Sequence, residues 1–359
     1  MRLSLKRRAP SAERPAPAVE ELPDLPGYEP VESEDPLAEI EQLMAANRKS
    51  ADPVTERRLV QLRHAAFDHL DRTSPDELPP LRGEEPAAPL PRPDGLPEVA
   101  AAELTTQSLR AGILGGGSLL VRGLLSPERA GRLKEGIDRS FEQRDAFLEG
   151  APAAETTPWF EPFAPRPDYP FDPLQRNRMK PGGHAAWAPD SPRMMFELLD
   201  AFADAGLTPL ISDYLGERPA LSMNKSVLRR VSPSSGTDWH QDGAFLGRGI
   251  RTLNVWIALS RCGDGAPGLD VVGRRFDEIV ETGTEGATFP WAVSPRKVAD
   301  VSGGAPARPT FEAGDALLFD HFCLHRTAVD PAMSEDRYAT ETWCFAPSVY
   351  PDKTVPLVL

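Results

Sequence analysis

Residues 252–259 read TLNVWIAL, and their aliphatic side chains alternate with a mixed polar, aromatic and small set. Successive side chains of a β-strand point to opposite faces, so this alternation predicts a strand with two different faces. The aliphatic set is Leu253, Val255, Ile257 and Leu259, and the mixed set is Thr252, Asn254, Trp256 and Ala258. Such a strand is typical of a barrel wall, where helices pack on the aliphatic face and the mixed face lines a cavity.

The chain around this strand changes from a helical period to a period of two near Ala220. Upstream, Ser126 followed by Pro127 indicates a helix start, with Ser as the N-cap and Pro in the first helical position. Further helices are predicted over 194–205, ended by a glycine, and over 210–215. Strands are predicted over 118–123, 269–272, 315–319 and 337–345. This order indicates an α+β protein whose C-terminal half is mostly β.

The first hundred residues hold 16 of the chain's 39 prolines. Segments of this kind bury too little apolar surface to offset the entropy of ordering, so the sequence predicts a largely disordered N-terminal extension. One helix is expected within it near 54–72, with His64 and His69 in solvent, docked on the main domain or on a partner. The expected division is 1–103 for the extension, 104–349 for the compact domain and 350–359 for a C-terminal tail.

Composition argues against several classes of partner. The 359 residues carry a formal net charge of -14 with a pI near 5.0, which disfavours nucleic acid or an anionic membrane surface. No apolar run approaches the roughly 18 residues of a transmembrane helix, so none is expected. Three cysteines without C-x-x-C spacing indicate a reducing compartment, and we expect a cytoplasmic protein.

The stretch 239–243 reads WHQDG, and a second histidine, His325, follows far downstream. On a strand or its frayed end, residues two apart point to the same side, so His240 and Asp242 can face a barrel interior while Gln241 faces away. The predicted strand over 315–319 leads directly to His325. Two imidazoles and one carboxylate on one face of a metal are typical of non-haem Fe(II) sites, which leave room for a bidentate cosubstrate and O2. A His-x-Asp triplet also occurs by chance.

Four stretches together resemble the phytanoyl-CoA dioxygenase family of Fe(II)- and 2-oxoglutarate-dependent oxygenases, over roughly 117–347. They are 119–128, 239–243, 253–259 and 314–326, the last continuing to Arg337. The resemblance implies a double-stranded β-helix (jelly-roll, cupin-like) core with flanking helices. One stretch departs from the family pattern: 272–276 reads VGRRF where the family usually carries a Pro-Gly-Ser-His turn, near the mouth of the site.

The resemblance also implies residue roles. It makes His240, Asp242 and His325 the Fe(II) ligands and catalytic centre. It makes Arg337 the partner of the distal 2-oxoglutarate carboxylate, which suits a planar donor that stays charged when desolvated. Thr327 and Asn254 are expected to be further cosubstrate contacts or simple packing residues, and His321 is expected to be structural or adjacent to the ligands.

The implied reaction consumes O2 and 2-oxoglutarate, releases succinate and CO2, and hydroxylates a small molecule. Asp242 argues against halogenation, because related halogenases have a small residue at that position and bind chloride there. Two alternatives stay open: a non-catalytic member of the fold that binds a ligand or partner, and a cupin-type metalloenzyme that does not use 2-oxoglutarate. We expect a monomer or a homodimer.

Candidate substrate contacts are Trp256 on the mixed face of the strand and Arg176, Arg178 and Trp187 in an aromatic and cationic segment over 157–187. That segment is either a lid over the site or an ordered loop whose aromatic side chains pack on the barrel. A second insertion over 274–309 is expected to form the other lip. Cations in and near these segments, including Lys180, Arg248 and Arg251, indicate an anionic substrate.

Overall fold

The chain folds as helices followed by strands in a computed structural model that describes residues 25–81, 89–169, 179–284 and 286–359. The helices are α1 (Pro36–Asn47), α2 (Pro53–Ala65), α3 (Thr106–Gly116), α4 (Pro127–Leu148), α5 (Ala153–Thr156), α6 (Pro192–Asp204), α7 (Leu207–Leu215), α8 (Gly243–Leu246) and α9 (Pro295–Val301). The strands are β1 (Glu98–Ala100), β2 (Ser118–Arg122), β3 (Ala185–Trp187), β4 (Ala220–Val231), β5 (Thr252–Ala258), β6 (Gly268–Val271), β7 (Ala316–Phe319), β8 (His325–Ala328), β9 (Arg337–Phe345) and β10 (Pro356–Val358).

The strands form one large and one small sheet. The large sheet has the order β1-β2-β7-β5-β9-β4-β10, with β3 also paired to β4, and the small sheet pairs β6 with β8. From β5 to β9, consecutive strands alternate between the two sheets, and all these pairings are antiparallel. This alternation is the double-stranded β-helix. An isolated bridge between His240 and His325 extends the small sheet at the edge where the candidate ligands lie.

The two faces of β5 are divided as the alternation predicts. Leu253, Val255 and Ile257 are fully buried in the main apolar cluster, together with side chains of α3, α4, α6 and α7. Burial of an aliphatic side chain of this size contributes roughly 1.5–3 kcal/mol, so this face anchors the helices to the sheet. Trp256 belongs to a second cluster on the opposite face, between the two sheets.

Local signals place the long helix α4 correctly. The Ser126 hydroxyl accepts a hydrogen bond from Arg129 N, and Pro127 occupies the first helical position. The glycine expected to end the next long helix, Gly206, has a left-handed φ of 68° and separates α6 from α7. Both helix predictions in this part of the chain are confirmed.

The expected boundary at residue 104 does not hold for the described part of the N-terminal region. Helices α1 and α2 each begin at an Asp-Pro pair, where Asp35 and Asp52 cap the helix through their carboxylates. The prolines therefore start helices here instead of preventing them. Apolar side chains of both helices share a cluster with α6 and with the C-terminal strand β10, and β1 pairs with β2. Residues 1–24 and 82–88 lie outside the described residues.

His64 and the C-terminal residues are also placed differently from the prediction. His64 is 1% exposed, and its Nδ1 donates to Pro356 O at 2.8 Å while its Nε2 accepts from Arg166 N at 3.1 Å. Arg63 donates to Val358 O at 2.8 Å. The residues expected to form a tail thus hold α2 against the large sheet, whereas His69 is exposed as predicted. Among the described residues, no helix is long and apolar enough to cross a membrane.

Candidate metal centre and cosubstrate cavity

His240, Asp242 and His325 come together between the two sheets. Each offers one ligand atom, and these atoms lie within 4.8 Å of one another. His240 and His325 pair through their backbones, with N to O distances of 2.9 and 3.0 Å. His240 lies at a frayed strand end, in the isolated bridge with His325, and the chain turns at Asp242 into the short helix α8. The turn nevertheless leaves both side chains on the side of His325.

Backbone carbonyl groups orient both imidazoles. Nδ1 of His240 donates to Asp238 O at 2.7 Å, and Nδ1 of His325 donates to Cys323 O at 3.1 Å. Each ring therefore keeps Nε2 without a proton, which is the state that binds a metal. Burial, with the neighbouring His240, lowers the pKa of His325 to about 4, so this ring is neutral at pH 7. Its Nε2 lies 3.7 Å from Asp242 Oδ2, beyond hydrogen-bonding distance.

Gln241 faces away from the ligands, as predicted, and connects the segment between His240 and Asp242 to two neighbouring loops. The side chain is fully buried. Its Nε2 donates to Phe322 O at 2.8 Å and to Glu278 O at 3.1 Å, and its Oε1 accepts from Val280 N at 2.6 Å. Because each of its side-chain polar atoms is hydrogen-bonded, Gln241 holds both the loop that leads from β7 to His325 and the insertion after β6.

His321 lies beside the ligand cluster but outside the group of three. Its backbone oxygen accepts from Gly243 N at 3.0 Å. A Cβ on Gly243 would stand 2.9 Å from the His321 ring and 2.6 Å from Ile279, so the close approach requires glycine at this position. His321 thus supports the turn that carries Asp242.

A cavity of about 130 Å³ opens at the three ligand residues. The predicted cosubstrate residues Arg337, Thr327 and Asn254 all line it, as does Trp256. Its full lining is Lys225, Arg229, Thr237, His240, Asp242, Phe245, Asn254, Trp256, Leu269, Phe319, His325, Thr327, Arg337 and Glu341. The structure therefore brings the candidate metal ligands and the candidate cosubstrate contacts into one space.

Arg337 is the most deeply buried cation of this cavity. It is 2% exposed, donates from Nη1 to Gly268 O at 3.2 Å, and stacks over Trp256 with its guanidinium carbon 5.5 Å from the ring centre. Its Nε has no hydrogen-bond partner among the described residues, and neither does Asn254 Oδ1. Burial lowers the pKa of Arg337 to about 10, so the group stays charged at pH 7. Buried polar atoms without partners are costly unless a ligand supplies the missing bonds.

Three charged residues of the cavity were not assigned from the sequence as site residues. Glu341 accepts from Arg229 at 2.7 Å and from Trp343 Nε1 at 3.2 Å. Burial opposes ionisation of Glu341, but Arg229 and Lys225 outweigh it and lower its pKa to about 2. The spacing of Lys225 and Arg229 in the sequence could have shown that they share a face, since residues four apart on β4 point to the same side. That the face is the cavity became visible only from the pairing of β4 with β9.

Two of the predicted substrate contacts lie in the described residues. Trp256 lines the cavity, but Trp187 is wrong as a substrate contact: it is 1% exposed in β3 and belongs to the apolar cluster under the helices. The pairing of β3 with β4 turns that side chain away from the site. Arg176 and Arg178 lie outside the described residues.

The segment over 157–187 packs on the protein wherever it is described. Phe160 is fully buried against Phe147 and Met179, and Phe163 meets the His64 ring edge to face with ring centres 5.6 Å apart. These contacts fit the ordered-loop alternative for 157–169 and 179–187. The cation expected at Arg251 is structural, since it donates to the backbone oxygens of Pro79 and Tyr214, whereas Lys180 lines a cavity of about 180 Å³ that adjoins the first at Arg337.

Comparison with known proteins finds similarity among solved structures. No protein-family model and no curated protein sequence matches the chain. EctD from S. alaskensis, solved with 2-oxoglutarate and 5-hydroxyectoine, is 15% identical with a TM-score of 0.47, over 74% of this chain and 82% of that one. SnoK, a non-haem α-ketoglutarate-dependent carbocyclase from nogalamycin biosynthesis, is 15% identical with a TM-score of 0.46, over 69% and 86%. AviO1 from Streptomyces viridochromogenes Tue57 is 17% identical with a TM-score of 0.42, over 67% and 94%.

At these identities and scores the neighbours carry no argument about activity. The assignment of the fold rests on the alternation of β5 to β9 between two sheets. The assignment of the site rests on the convergence of the three ligand residues beside Arg337.

Proposed function

We propose that this protein is an Fe(II)- and 2-oxoglutarate-dependent oxygenase that hydroxylates a small molecule. One observation carries the proposal. Three ligand atoms converge in a cavity that also holds a buried, charged Arg337 with an unpaired Nε. A metal triad alone fits many enzymes, and a buried arginine alone fits many anion sites. Their combination fits a metal that works with a carboxylate cosubstrate.

The donor set fits iron. His240 and His325 each present an Nε2 without a proton, and Asp242 adds one negative charge. Two imidazoles and a carboxylate on one side of a metal suit Fe(II) and leave coordination positions free. When bound, iron and 2-oxoglutarate together supply the activation of O2 that the side chains themselves lack. The net reaction turns 2-oxoglutarate, O2 and a C–H group into succinate, CO2 and a C–OH group.

Arg337 is proposed to hold the distal carboxylate of 2-oxoglutarate. Its guanidinium is desolvated yet charged, and a planar donor can make two parallel hydrogen bonds to a carboxylate. Thr327 and Asn254 line the same cavity, where the Thr327 hydroxyl and the Asn254 amide NH2 can donate to the oxygens of the cosubstrate. The position of Trp256 against the Arg337 guanidinium limits the orientations that this side chain can adopt.

Hydroxylation is favoured over halogenation by the carboxylate of Asp242. Because the Asp242 carboxylate can itself bind the metal, the coordination position that a halide would need is taken by the protein. The protein's further contribution is to keep the target C–H close to the metal and to exclude bulk water. Phe319 and Leu269 form apolar parts of the cavity wall for that purpose.

The three cysteines are all free and buried in the structure. With the acidic composition, this supports a small-molecule enzyme of a reducing compartment such as the cytoplasm. We propose the monomer or homodimer as the working assembly.

Anaerobic titration of 2-oxoglutarate into the Fe(II)-loaded chain tests the proposal. We expect a 2-oxoglutarate-dependent charge-transfer absorption, and succinate formation after O2 is admitted. Asp242→Ala should remove both signals, and Arg337→Met should shift the titration to much higher 2-oxoglutarate concentration. Absence of both signals from the wild-type chain would favour a non-catalytic binding protein. If the rate of a metal-dependent oxidation is unchanged by Arg337→Met, the result would favour a cupin-type enzyme that does not use 2-oxoglutarate.

A further inference from the structure

Three aromatic side chains form a group at one end of the cavity, which Phe245 lines; Phe245 and Phe289 are exposed and Trp291 is half-buried. Phe289 stacks on Trp291 with ring centres 5.1 Å apart and an interplanar angle of 4°. Trp291 meets Phe245 edge to face at 6.0 Å and also meets the ring of His240 at 5.6 Å. Phe245 is 41% exposed and Phe289 is 48% exposed, the only aromatic side chains among the exposed large hydrophobics of the described residues. We call Phe245, Phe289 and Trp291 the aromatic mouth.

The backbone around the aromatic mouth is held close to the metal ligands. Val293 N donates to Trp239 O at 2.8 Å, next to His240 in the chain. Gln241 binds Glu278 and Val280 of the same insertion on the other side of His240. The insertion that carries Phe289 and Trp291 is therefore attached on both sides of a metal ligand. Its aromatic surface belongs to the entrance of the site and is not an isolated surface patch.

Lys225 adds a cation at this entrance. Its Nζ lies 4.3 Å from the centre of the Phe245 ring, and the residue lines the same cavity as the three candidate ligands. Among the described residues, no acidic side chain makes a salt bridge with Lys225, although its charge helps to lower the pKa of Glu341. An ammonium group beside an aromatic ring keeps free N–H donors for an incoming anion.

Of the three cations that line the cavity, Lys225 is the one to which no anionic partner has been assigned. The cavity holds Lys225, Arg229 and Arg337 against Asp242 and Glu341. Arg229 is paired with Glu341. On the proposed function, Asp242 binds iron and Arg337 binds the cosubstrate. One cation therefore remains at the aromatic end of the cavity.

We propose that the substrate is a small free molecule with a flat, aromatic body and one anionic group. The body lies against Phe245 and Trp291, and the anionic group binds Lys225. Flat rings gain contact area and favourable edge or face interactions against aromatic side chains, and a carboxylate gains a charge-assisted hydrogen bond from an ammonium group. The assignment as a substrate rests on the proposed function, but the binding site does not require it.

Three small acids and amides serve as probes in calorimetric titrations of the full chain. Phenylpropanoate has both features, phenylpropanamide lacks the charge, and cyclohexylpropanoate lacks the flat ring. We expect phenylpropanoate to bind roughly tenfold more tightly than the amide, because a charge-assisted hydrogen bond contributes that much. It should also bind several-fold more tightly than the cyclohexyl compound. Equal affinity for all three probes would overturn the proposal.

Variants assign the binding to the two features separately. Lys225→Met should remove the preference for the acid over the amide, and Lys225→Arg should retain it. Trp291→Leu should remove the preference for the phenyl over the cyclohexyl compound. Lys297→Met is the control for loss of a lysine, because Lys297 lies in the insertion that carries Trp291 but is paired with Glu281 and does not line the cavity. Thermal unfolding of each variant shows that it is folded.

The titrations are run on the metal-free chain and again with Zn(II) and saturating 2-oxoglutarate. If 2-oxoglutarate does not bind but Lys225-dependent probe binding persists, the proposed function fails and the present inference stands. If 2-oxoglutarate binds through Arg337 but probe affinity is unchanged by Lys225→Met, the present inference is overturned and the proposed function stands. Loss of probe binding in Arg337→Met alone would place the probe in the cosubstrate position and would also overturn it.

Discussion

The two faces of β5 and β9 differ in what their side chains contribute. On the helix face, Leu253, Val255 and Ile257 are fully buried among apolar neighbours. On the cavity face, Asn254 and Arg337 are as deeply buried but keep polar atoms without partners. The same two strands therefore provide stability on one side and unfilled binding capacity on the other. Buried polar atoms without partners cost stability, and a bound ligand can supply what they lack.

The contrast between the faces is not absolute. The hydroxyls of Thr340 and Thr342 also lack partners, although these residues pair with Ile257 and Val255 on the helix side. A threonine hydroxyl is small and neutral, so its burial costs much less than that of a guanidinium. Within the described residues, the unpartnered Nε of the charged Arg337 is therefore what distinguishes the cavity face.

Asp242→Ala should have the largest functional effect and almost no structural one. Without the carboxylate the site has only two protein ligands, and succinate formation should fall to the background rate. Thermal unfolding of the metal-free chain should be unchanged or shifted upward, because Asp242 is 4% exposed and loses a desolvated charge. Lower stability of the metal-free variant would show that Asp242 has a structural role as well.

Arg337→Met should weaken binding of 2-oxoglutarate by about 10²–10³-fold, because a bidentate, desolvated ion pair is lost. Calorimetry with the Zn(II)-loaded chain measures this affinity without turnover. Unfolding in urea should show equal or greater stability of the variant in the absence of ligand, since the unpaired Nε disappears. Unaltered affinity would remove Arg337 from the cosubstrate site.

Ile257→Ala tests the helix face. A fully buried isoleucine in the main apolar cluster should cost about 2–5 kcal/mol of unfolding free energy when it is truncated. The affinity for 2-oxoglutarate at low denaturant should stay within about twofold of the wild-type value, because the side chain points away from the cavity. Val329→Ala is the matched control: Val329 is 39% exposed, so a change below about 0.5 kcal/mol is expected.

Acid titration of Glu341→Gln against the wild type tests the ion pair in the cavity. The folded-state pKa of Glu341 is about 2, below the ordinary value of 4.5, so its ion pair stabilises the protein above pH 4.5. That stability is lost as pH falls from about 4.5 to 2, with a slope approaching 1.4 kcal/mol per pH unit. Urea unfolding at several pH values should show a steeper slope in the wild type than in the variant, because other carboxylates with lowered pKa contribute equally to both. Equal slopes would mean that folding does not lower the pKa of Glu341.

Asn254→Ala should have the smallest effect of the series. Loss of one neutral hydrogen bond to the cosubstrate weakens binding by about 0.5–1.5 kcal/mol, which is a change of roughly two- to tenfold. The unfolding free energy should not fall, because Asn254 Oδ1 has no hydrogen-bond partner among the described residues. A marked loss of stability instead would assign Asn254 to packing, the alternative that the sequence left open.

Much of the fold could be predicted because its signals are local. The alternation in 252–259 identified β5 and both of its faces, and Ser126 with Pro127 identified the start of α4. The short strands β1, β3 and β10 were missed, since three residues are too few to show a period. The N-terminal helices were underestimated because proline counts do not show whether a proline starts a helix or interrupts one.

The three candidate metal ligands could be predicted from the sequence, but the residues that surround them could be predicted only in part. His240, Asp242 and His325 were predicted as a group, and the structure brings their ligand atoms within 4.8 Å. Trp187 was assigned to the wrong side, because the pairing that orients it, between β3 and β4, is not encoded in its neighbours in the chain. Lys225 went unnoticed for the same reason. Its spacing to Arg229 shows a shared face but not what that face encloses.

The sequence by itself determined the two-faced strand, the candidate ligand types and the helix starts, because these depend on side-chain alternation and capping within a few residues. Only the tertiary structure decided which cation of the described cavity has no assigned partner, which aromatic side chains lie at the entrance, and that α2 packs against the C-terminal strand β10. Those facts depend on closure of one sheet over the other, which brings together residues about a hundred positions apart. Separations of that kind leave no periodic signal along the chain.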